Sequence, residues 1–310
     1  MNILMTGGAG FIGNNLVRLL LEHQHYVTVL DNLTTGNAAD LEEVECEVVR
    51  GDVMNYETVA KLARGKDAIV HLAAHTRVVE SVEDPTTNFE VNGKGTLNVL
   101  LAARDTGVEH VVFASTGGAI LGEVLPPVKE SMFRNPISPY GASKLMGEGY
   151  CSAFAGAYGL NTTSVRFANV YGPWSYRKGS VVAKFFKDTL DGRGLTIYGD
   201  GNQTRDFVYS TDVANGIRLA LEAKPRGFEI FNIASGVETS INQLVELTTK
   251  VTGREPKTDQ QPRRDGEVFR NYASIEKARE QLGYEPAVSL ESGLERTWEW
   301  FLSSGSPVAT

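Results

Sequence analysis

Two groups of residues could do chemistry together. The first is Gly8-x-Gly10-x-x-Gly13, with Gly7, Gly10 and Gly13 repeating the glycines at three-residue intervals. Placed between a strand and a helix, such a run lets backbone N–H groups at the helix N-terminus touch a pyrophosphate that any Cβ would hold away. Asp31 follows the next apolar run, about where an acid meets the adenosine ribose of a dinucleotide. A carboxylate there repels a 2′-phosphate, so NAD is expected and not NADP. Asp52 and Val53, after a third apolar run, suit the edge of an adenine pocket.

The second group is Tyr140 and Lys144, four residues apart in a helix-forming segment after Pro139. That spacing puts both side chains on one helix face. A nearby ammonium stabilises phenolate, so the tyrosine pKa is expected to fall from ~10 toward the working pH. A bound nicotinamide cation would push the same way. Tyr-x-x-x-Lys by itself is common on solvated helices; its weight comes from following the fifth strand of a chain with a dinucleotide loop. Ser115 and Thr116 close that strand and could offer a hydroxyl to a ligand at the carboxyl edge of the sheet. The alternative for either is a turn hydroxyl bonding its own backbone.

The surrounding pattern must position these groups. Short β-branched runs at Asn2–Met5, Tyr26–Leu30, Glu47–Arg50, Ala68–Leu72, His110–Ala114 and Thr162–Phe167 read as strands. Helical patterns at Phe11–Glu22, Tyr56–Ala63, Gly93–Thr106 and Tyr140–Tyr158 alternate with them. This is the βαβ rhythm of a doubly wound Rossmann α/β fold with a parallel sheet. The rhythm loosens after Asn169, with helices expected at Ser180–Asp191, Asp212–Ala223, Thr239–Thr252, Ser274–Leu282 and Leu290–Phe301 and a strand at Arg205–Tyr209. Residues 1–168 are therefore expected to form the cofactor-binding domain. Residues 169–310 form a smaller α/β substrate-binding domain, with segments such as Phe228–Ile233 returning to the Rossmann sheet.

A net charge of −8 argues against nucleic acid or an anionic membrane as the main partner. No apolar stretch approaches the ~20 residues that span a bilayer. The first apolar run ends at once in glycines and lacks a basic leader region, so a cytoplasmic protein is expected. Cys46 and Cys151 make no disulfide framework and read as thiols in a reducing compartment. His71 and His75 straddle a strand end, where metal-ligand geometry does not follow; both read as core or loop histidines, and no metal is expected.

With these motifs in hand, the chain resembles the extended short-chain dehydrogenase/reductases and, among them, the UDP-hexose 4-epimerases. The likeness rests on Thr6–Gly13, Asp31-Asn32-Leu33, His71-Leu72-Ala73-Ala74, Tyr140-x-x-x-Lys144 and the run from Arg166 to Pro173. It continues through Gly179–Val182, Tyr198–Gly201, Arg205–Phe207 and Arg263–Glu267. The resemblance implies NAD held by Gly7, Gly10, Phe11, Ile12, Gly13, Asp31, Asn32, Asp52, Val53, Leu72, Ala73 and Ala74, with Tyr140 as base and Lys144 on the nicotinamide ribose. It further implies that Asn169, Ser180, Val181 and Val182 contact a UDP-sugar, Arg205 and Arg264 its diphosphate, and Glu267 its uridine ribose. Thr116 is favoured over Ser115 as the assisting hydroxyl. The strand-end loop departs from the family pattern: it is one residue longer, with Leu121 where Tyr is usual, and Glu267 stands where Asp is more typical.

The expected reaction is transient oxidation at C4 and return of hydride to the opposite face. A 4,6-dehydratase would need an Asp/Glu pair where this chain has Gly117 and Gly118, and a uronate decarboxylase an acid in the same loop. A non-catalytic NAD-binding sensor or scaffold is the alternative of another class. Arg177 and Lys178 could meet a C6 carboxylate, which leaves UDP-glucose/UDP-galactose and UDP-glucuronate/UDP-galacturonate both open. The resemblance also implies a homodimer paired through the helices at Gly93–Thr106 and Tyr140–Tyr158.

Overall fold

The computed structural model describes residues 1–263 and 268–303. Six strands of the first half are β1 (Asn2–Thr6), β2 (Tyr26–Asp31), β3 (Glu47–Arg50), β4 (Ala68–His71), β5 (His110–Thr116) and β6 (Asn161–Phe167). Between them run α1 (Phe11–Glu22), α2 (Tyr56–Ala63), α3 (Val78–Glu83), α4 (Pro85–Phe89), α5 (Gly95–Thr106) and α6 (Pro139–Tyr158). Beyond β6 come β7 (Asn169–Tyr171), α7 (Val181–Leu190), β8 (Leu195–Tyr198), β9 (Thr204–Arg205), β10 (Phe207–Tyr209) and α8 (Ser210–Ala223). The chain continues through β11 (Phe228–Ile233), β12 (Thr239–Ser240), α9 (Ile241–Thr252), β13 (Thr258–Gln261), α10 (Glu276–Leu282) and α11 (Leu290–Ser303).

The main sheet has seven strands in the order β11-β6-β5-β4-β1-β2-β3, all parallel. Its first six strands follow the doubly wound order 3-2-1-4-5-6, which opens a crevice at the carboxyl ends of β1 and β4 where the winding reverses. Central strands such as β1 and β4 carry continuous apolar runs because helices cover both faces. On one face Met5, Val29, Val70 and Val112 pack with Leu16 and Leu20 of α1 and Ile217 of α8. On the other, Leu4, Ile69 and Phe113 pack with Val99 and Ala103 of α5 and Cys151 and Phe154 of α6. A third core lies in the second half, where Phe185 and Phe186 of α7 meet Leu195, Phe207, Leu244, Trp298 and Phe301. Strand β11, from that half, returns to the main sheet beside β6.

Several boundaries differ from the sequence expectation. The helix expected from Gly93 begins earlier, as α4 and a π turn over Glu90–Lys94. The strand expected at Arg205–Tyr209 breaks into β9 and β10 at Asp206, whose carboxylate accepts N–H bonds from Ser235, Gly236 and Ala273. The helix expected from Thr239 starts at Ile241, with Ser240 and Gln243 forming a reciprocal capping box. No described helix is long and apolar enough to cross a membrane.

Candidate active site

The glycine loop turns out of β1 directly into α1. Gly7 has φ +72, and a Cβ there would lie 2.6 Å from the Ala73 nitrogen; one on Gly13 would lie 2.5 Å from Gly8 Cα. Those two glycines are required by the protein's own backbone. Gly10 is different: its φ of −82 suits any residue, and a Cβ would meet only the Gly7 carbonyl, at 3.3 Å. The open space beside Gly10 therefore fits a ligand that approaches the backbone. Gly10 also caps α1 without a side-chain bond, so the first-turn N–H groups of Phe11, Ile12 and Gly13 have no side-chain acceptor from the cap. The cradle fits a pyrophosphate.

Asp31, at the end of β2, accepts from the Ala9 N–H at 3.0 Å and the Leu33 N–H at 2.8 Å. Burial pushes its pKa up and these two bonds pull it back. It therefore braces the glycine loop besides standing where a ribose-binding acid is expected. Asp52 accepts from Asn32 Nδ2 at 2.9 Å, and Val53 beside it is buried against the same edge. Leu72 and Ala73 donate their N–H groups to the Thr6 carbonyl, which fixes the Leu72–Ala74 segment against the loop. His71 is buried between the hydroxyls of Thr6 and Thr96, at 2.7 and 3.1 Å. Burial, with Lys144 nearby, lowers its pKa to about 3, so it is a neutral core histidine.

At the far side of the crevice, α6 starts with Ser138 as N-cap and Pro139 in its first turn. Gly141 permits the helix to sit on the loop after β5, since a Cβ there would collide with the Ala119 carbonyl. This sets Tyr140 over the end of β5, where its hydroxyl neighbours the Thr116 side chain. Lys144 is buried, donates from Nζ to the Ala114 carbonyl at 2.8 Å and lies 4.9 Å over the Phe113 ring. Burial lowers its pKa to about 8.

The expected fall in the tyrosine pKa is not found in the protein alone. Burial raises Tyr140 to about 12, and the Thr116 side chain offsets only part of that rise. Desolvating the phenolate outweighs an ammonium that is itself engaged with a carbonyl and a ring.

Ser115 and Thr116 have separate fates. Ser115 lies on the sheet face of Phe113, toward α6, and donates to Glu148 Oε1 at 2.6 Å. Glu148 also takes a bidentate pair from Arg166 Nε and Nη2, at 2.8 and 2.7 Å, with both side chains buried. Arg166 continues to the Glu130 carbonyl at 3.2 Å. Ser115 is thus committed to a buried ion-pair network, and Thr116 is the hydroxyl that meets Tyr140. Sequence reasoning missed this network, although Glu148 follows Lys144 by one helical turn. It also missed Asn92 in the π turn, whose Nδ2 donates to Ser143 Oγ and to the His75 carbonyl, tying α6 to the strand-end loop of β4.

Across the crevice, Ser180 is the N-cap of α7; its buried Oγ has no partner, and Val181 and Val182 follow in the first turn. Asn169 is exposed at the start of β7 and bonds the Asp206 carbonyl. Arg205 donates to the Thr204 and Val268 carbonyls. Beside Val268 is a cavity of about 170 Å³ lined by Tyr198, Gly199, Asp200, Gln203, Arg263, Val268 and Phe269. Arg264 and Glu267 lie outside the described residues. Arg177 and Lys178, the adjacent cations that could meet a C6 carboxylate, have different surroundings. Arg177 is exposed; burial pushes Asp40 up, and Asn37, Arg177 and Arg18 pull it back. Lys178 instead packs inward, 5.0 Å over the Phe11 ring.

Comparison with known proteins agrees with this geometry. A model of the NAD dependent epimerase/dehydratase family matches residues 3–234. The putative UDP-glucose 4-epimerase of Methanocaldococcus jannaschii is 40% identical over 302 residues, covering 96% of this chain and 97% of that protein. The structure of UDP-glucose 4-epimerase from Thermotoga maritima, with UDP-glucose, superposes with a TM-score of 0.94 at 40% identity, covering 98% of this chain and 99% of that one. UDP-glucuronic acid 4-epimerase from Bacillus cereus, in complex with UDP-glucuronic acid and NAD, gives 0.92 at 32% identity, covering 98% and 100%.

Proposed function

The chain belongs to the NAD dependent epimerase/dehydratase family, and on that premise we propose that it inverts C4 of a UDP-linked hexose with NAD as its cofactor. The observation that carries the reading is the placement of Tyr140 by α6 over the carboxyl end of β5, with its hydroxyl beside the Thr116 side chain and Lys144 buried one helical turn on. NAD, when bound, takes a hydride from C4 of the sugar and returns it to the opposite face. Tyr140 removes the C4 hydroxyl proton and gives it back after the 4-keto sugar has turned. Thr116 holds the phenol and the sugar hydroxyl in line. Lys144, fixed by the Ala114 carbonyl and the Phe113 ring, favours the phenolate and bonds the nicotinamide ribose.

Residues 1–168 then supply the cofactor site and residues 169–310 most of the sugar-nucleotide site. Ser180 Oγ and Asn169 serve the sugar nucleotide, and the cavity beside Arg205 takes its nucleoside end. Arg205 and Arg264 are assigned to the diphosphate and the longer carboxylate of Glu267 to the uridine ribose. Loss of water around the phenol is consistent with a base whose pKa falls only once the cationic nicotinamide is bound.

The 4,6-dehydratase reading needs acids where the chain has Gly117 and Gly118, and a side chain at Gly118 would begin 2.9 Å from the Asn271 amide. The residues from Gly117 to Gly122, directly after β5, offer no acid to a decarboxylase. UDP-glucose/UDP-galactose is favoured as the substrate pair, because Arg177 is exposed near Asp40 while Lys178 turns inward over the Phe11 ring, so the two do not present paired charges to a carboxylate. UDP-glucuronate/UDP-galacturonate is the second reading, supported by the likeness to the B. cereus enzyme. Comparing kcat/KM for both pairs, in wild type and Arg177→Ala, tests this. Turnover of the neutral pair, little changed by the substitution, is expected. A selective loss on the uronates in the variant would move the assignment to them, and no turnover of any UDP-hexose would sink the reading.

A homodimer is part of the same proposal. Val79, Val82 and Phe89 are exposed on α3 and α4, which pack beside α6, and Tyr150 and Tyr158 are exposed on α6 itself. Sedimentation of the wild type as a dimer, and of Phe89→Glu as a monomer, is the expected result; a monomeric wild type would end the idea.

A further inference from the structure

The segment from Gly172 to Gly179 forms a strap that lies on α1. Asn15 Nδ2 donates to the Pro173 carbonyl at 3.3 Å, and the Arg18 guanidinium covers the Trp174 ring at 4.4 Å. Trp174 sits in the left-handed region, φ +62, which these contacts hold in place. Ser175 closes a turn onto the Gly172 carbonyl at 2.6 Å and accepts the Lys178 N–H at 2.8 Å. The turn sends the Lys178 side chain back toward β7 and the first turn of α1.

There its charge is poorly matched by the protein. Nζ donates to the Val170 carbonyl at 3.4 Å, a long bond, and lies 5.0 Å from the Phe11 ring centroid. Among the described residues no carboxylate pairs with it, whereas the buried Arg166 and the half-buried Arg218 each hold one and the buried Lys144 has a short bond to the Ala114 carbonyl. Desolvation lowers its pKa to about 8. An ammonium held out of water with one weak acceptor is costly unless an anion completes its shell. Phe11 is the first residue of α1, and its N–H belongs to the anion cradle built around Gly10. The adjacent Arg177 does not compete for that place, because its charged neighbour is Asp40.

We propose that Lys178 is a cofactor clamp: its ammonium bonds the pyrophosphate of NAD held by the Gly7–Gly13 loop, so that the substrate half of the chain retains the cofactor. The inference rests on the NAD reading above and adds to it a retaining side chain from the other half. It gives a physical reason for a cofactor that must stay bound between two opposite hydride transfers. The clamp is a single charge delivered by a strap, separate from the backbone donors of the loop.

The test is calorimetric titration of protein stripped of nucleotide, with NAD and, separately, with UDP. Lys178→Met keeps the stem against Phe11 and removes the charge; Lys178→Gln is a second neutral variant, and Lys178→Arg keeps the charge. Both neutral variants are expected to raise the NAD Kd by about 10- to 100-fold, the loss of one charge-assisted bond. UDP affinity and the unliganded melting temperature should stay near wild type, and Lys178→Arg should bind NAD within a few-fold. Unchanged NAD affinity in the neutral variants overturns the clamp. So does a loss confined to UDP, which would assign the cation to the sugar-nucleotide diphosphate, or a loss confined to uronate turnover. A wild type that binds no NAD would remove the functional reading and this inference together.

Discussion

After β1 the chain turns through Gly7, Gly8 and Gly10 into α1; β5 ends in Ser115 and Thr116 and turns through Gly117 and Gly118. Both loops leave the same edge of one parallel sheet, yet they prepare for a ligand by opposite means. The first strips away side chains so that backbone N–H groups can act, and its conformation is enforced by glycines packed against the protein's own backbone at Gly8 and at Leu72–Ala73. The second works through side chains, and which of its hydroxyls is available depends on a carboxylate 33 residues away in α6. A backbone site is robust to its surroundings, whereas a side-chain site is only as defined as the partners that claim its neighbours.

Substitutions can sharpen that contrast or break it. The largest effect belongs to the second loop's partner: Tyr140→Phe should lower kcat by roughly 10²–10⁴-fold while NAD affinity is retained. Thr116→Val should cost about tenfold in kcat, one lost hydrogen bond, whereas Ser115→Ala should leave kcat within a few-fold and lower stability by about 1 kcal/mol. Steady-state kinetics with a melting curve for each variant checks all three, and equal kinetic losses at the two positions would erase the division of labour between them.

In the first loop the contrast is between glycines. Gly13→Ala forces a Cβ to 2.5 Å from backbone and should destabilise the fold by about 3 kcal/mol. Gly10→Ala meets only the Gly7 carbonyl at 3.3 Å, so stability should change by less than about 1 kcal/mol while NAD binding weakens about tenfold. Thermal melting and NAD titration separate the two; a Gly10→Ala protein that binds NAD normally would show that the space beside Gly10 is not ligand space.

The sequence was a good guide wherever the cause is local. Apolar periodicity fixed each of β1 to β6 within about two residues, because pleat and helix periods are properties of consecutive residues. The glycine loop was legible for the same reason: a positive φ at Gly7 and an uncapped α1 are written in adjacent residue types. A boundary set from far away was not legible, as at Asp206, whose carboxylate is held by Ser235, Gly236 and Ala273 where the strand breaks.

What the sequence by itself determined, then, is the sheet order's raw material, the dinucleotide cradle and the pairing of Tyr140 with Lys144 on one α6 face. Tertiary structure alone decided that Ser115 serves Glu148 and Arg166 while Thr116 meets Tyr140, and that Arg177 faces out beside Asp40 while Lys178 turns in over Phe11. It also decided the sign of the Tyr140 shift, since i, i+4 spacing places an ammonium nearby but says nothing of how much water the fold removes. The physical reason is common to all three. Backbone conformation answers to neighbours in the chain, whereas the job of a polar side chain is set by which distant groups reach it first and by how far burial strengthens or penalises its charge.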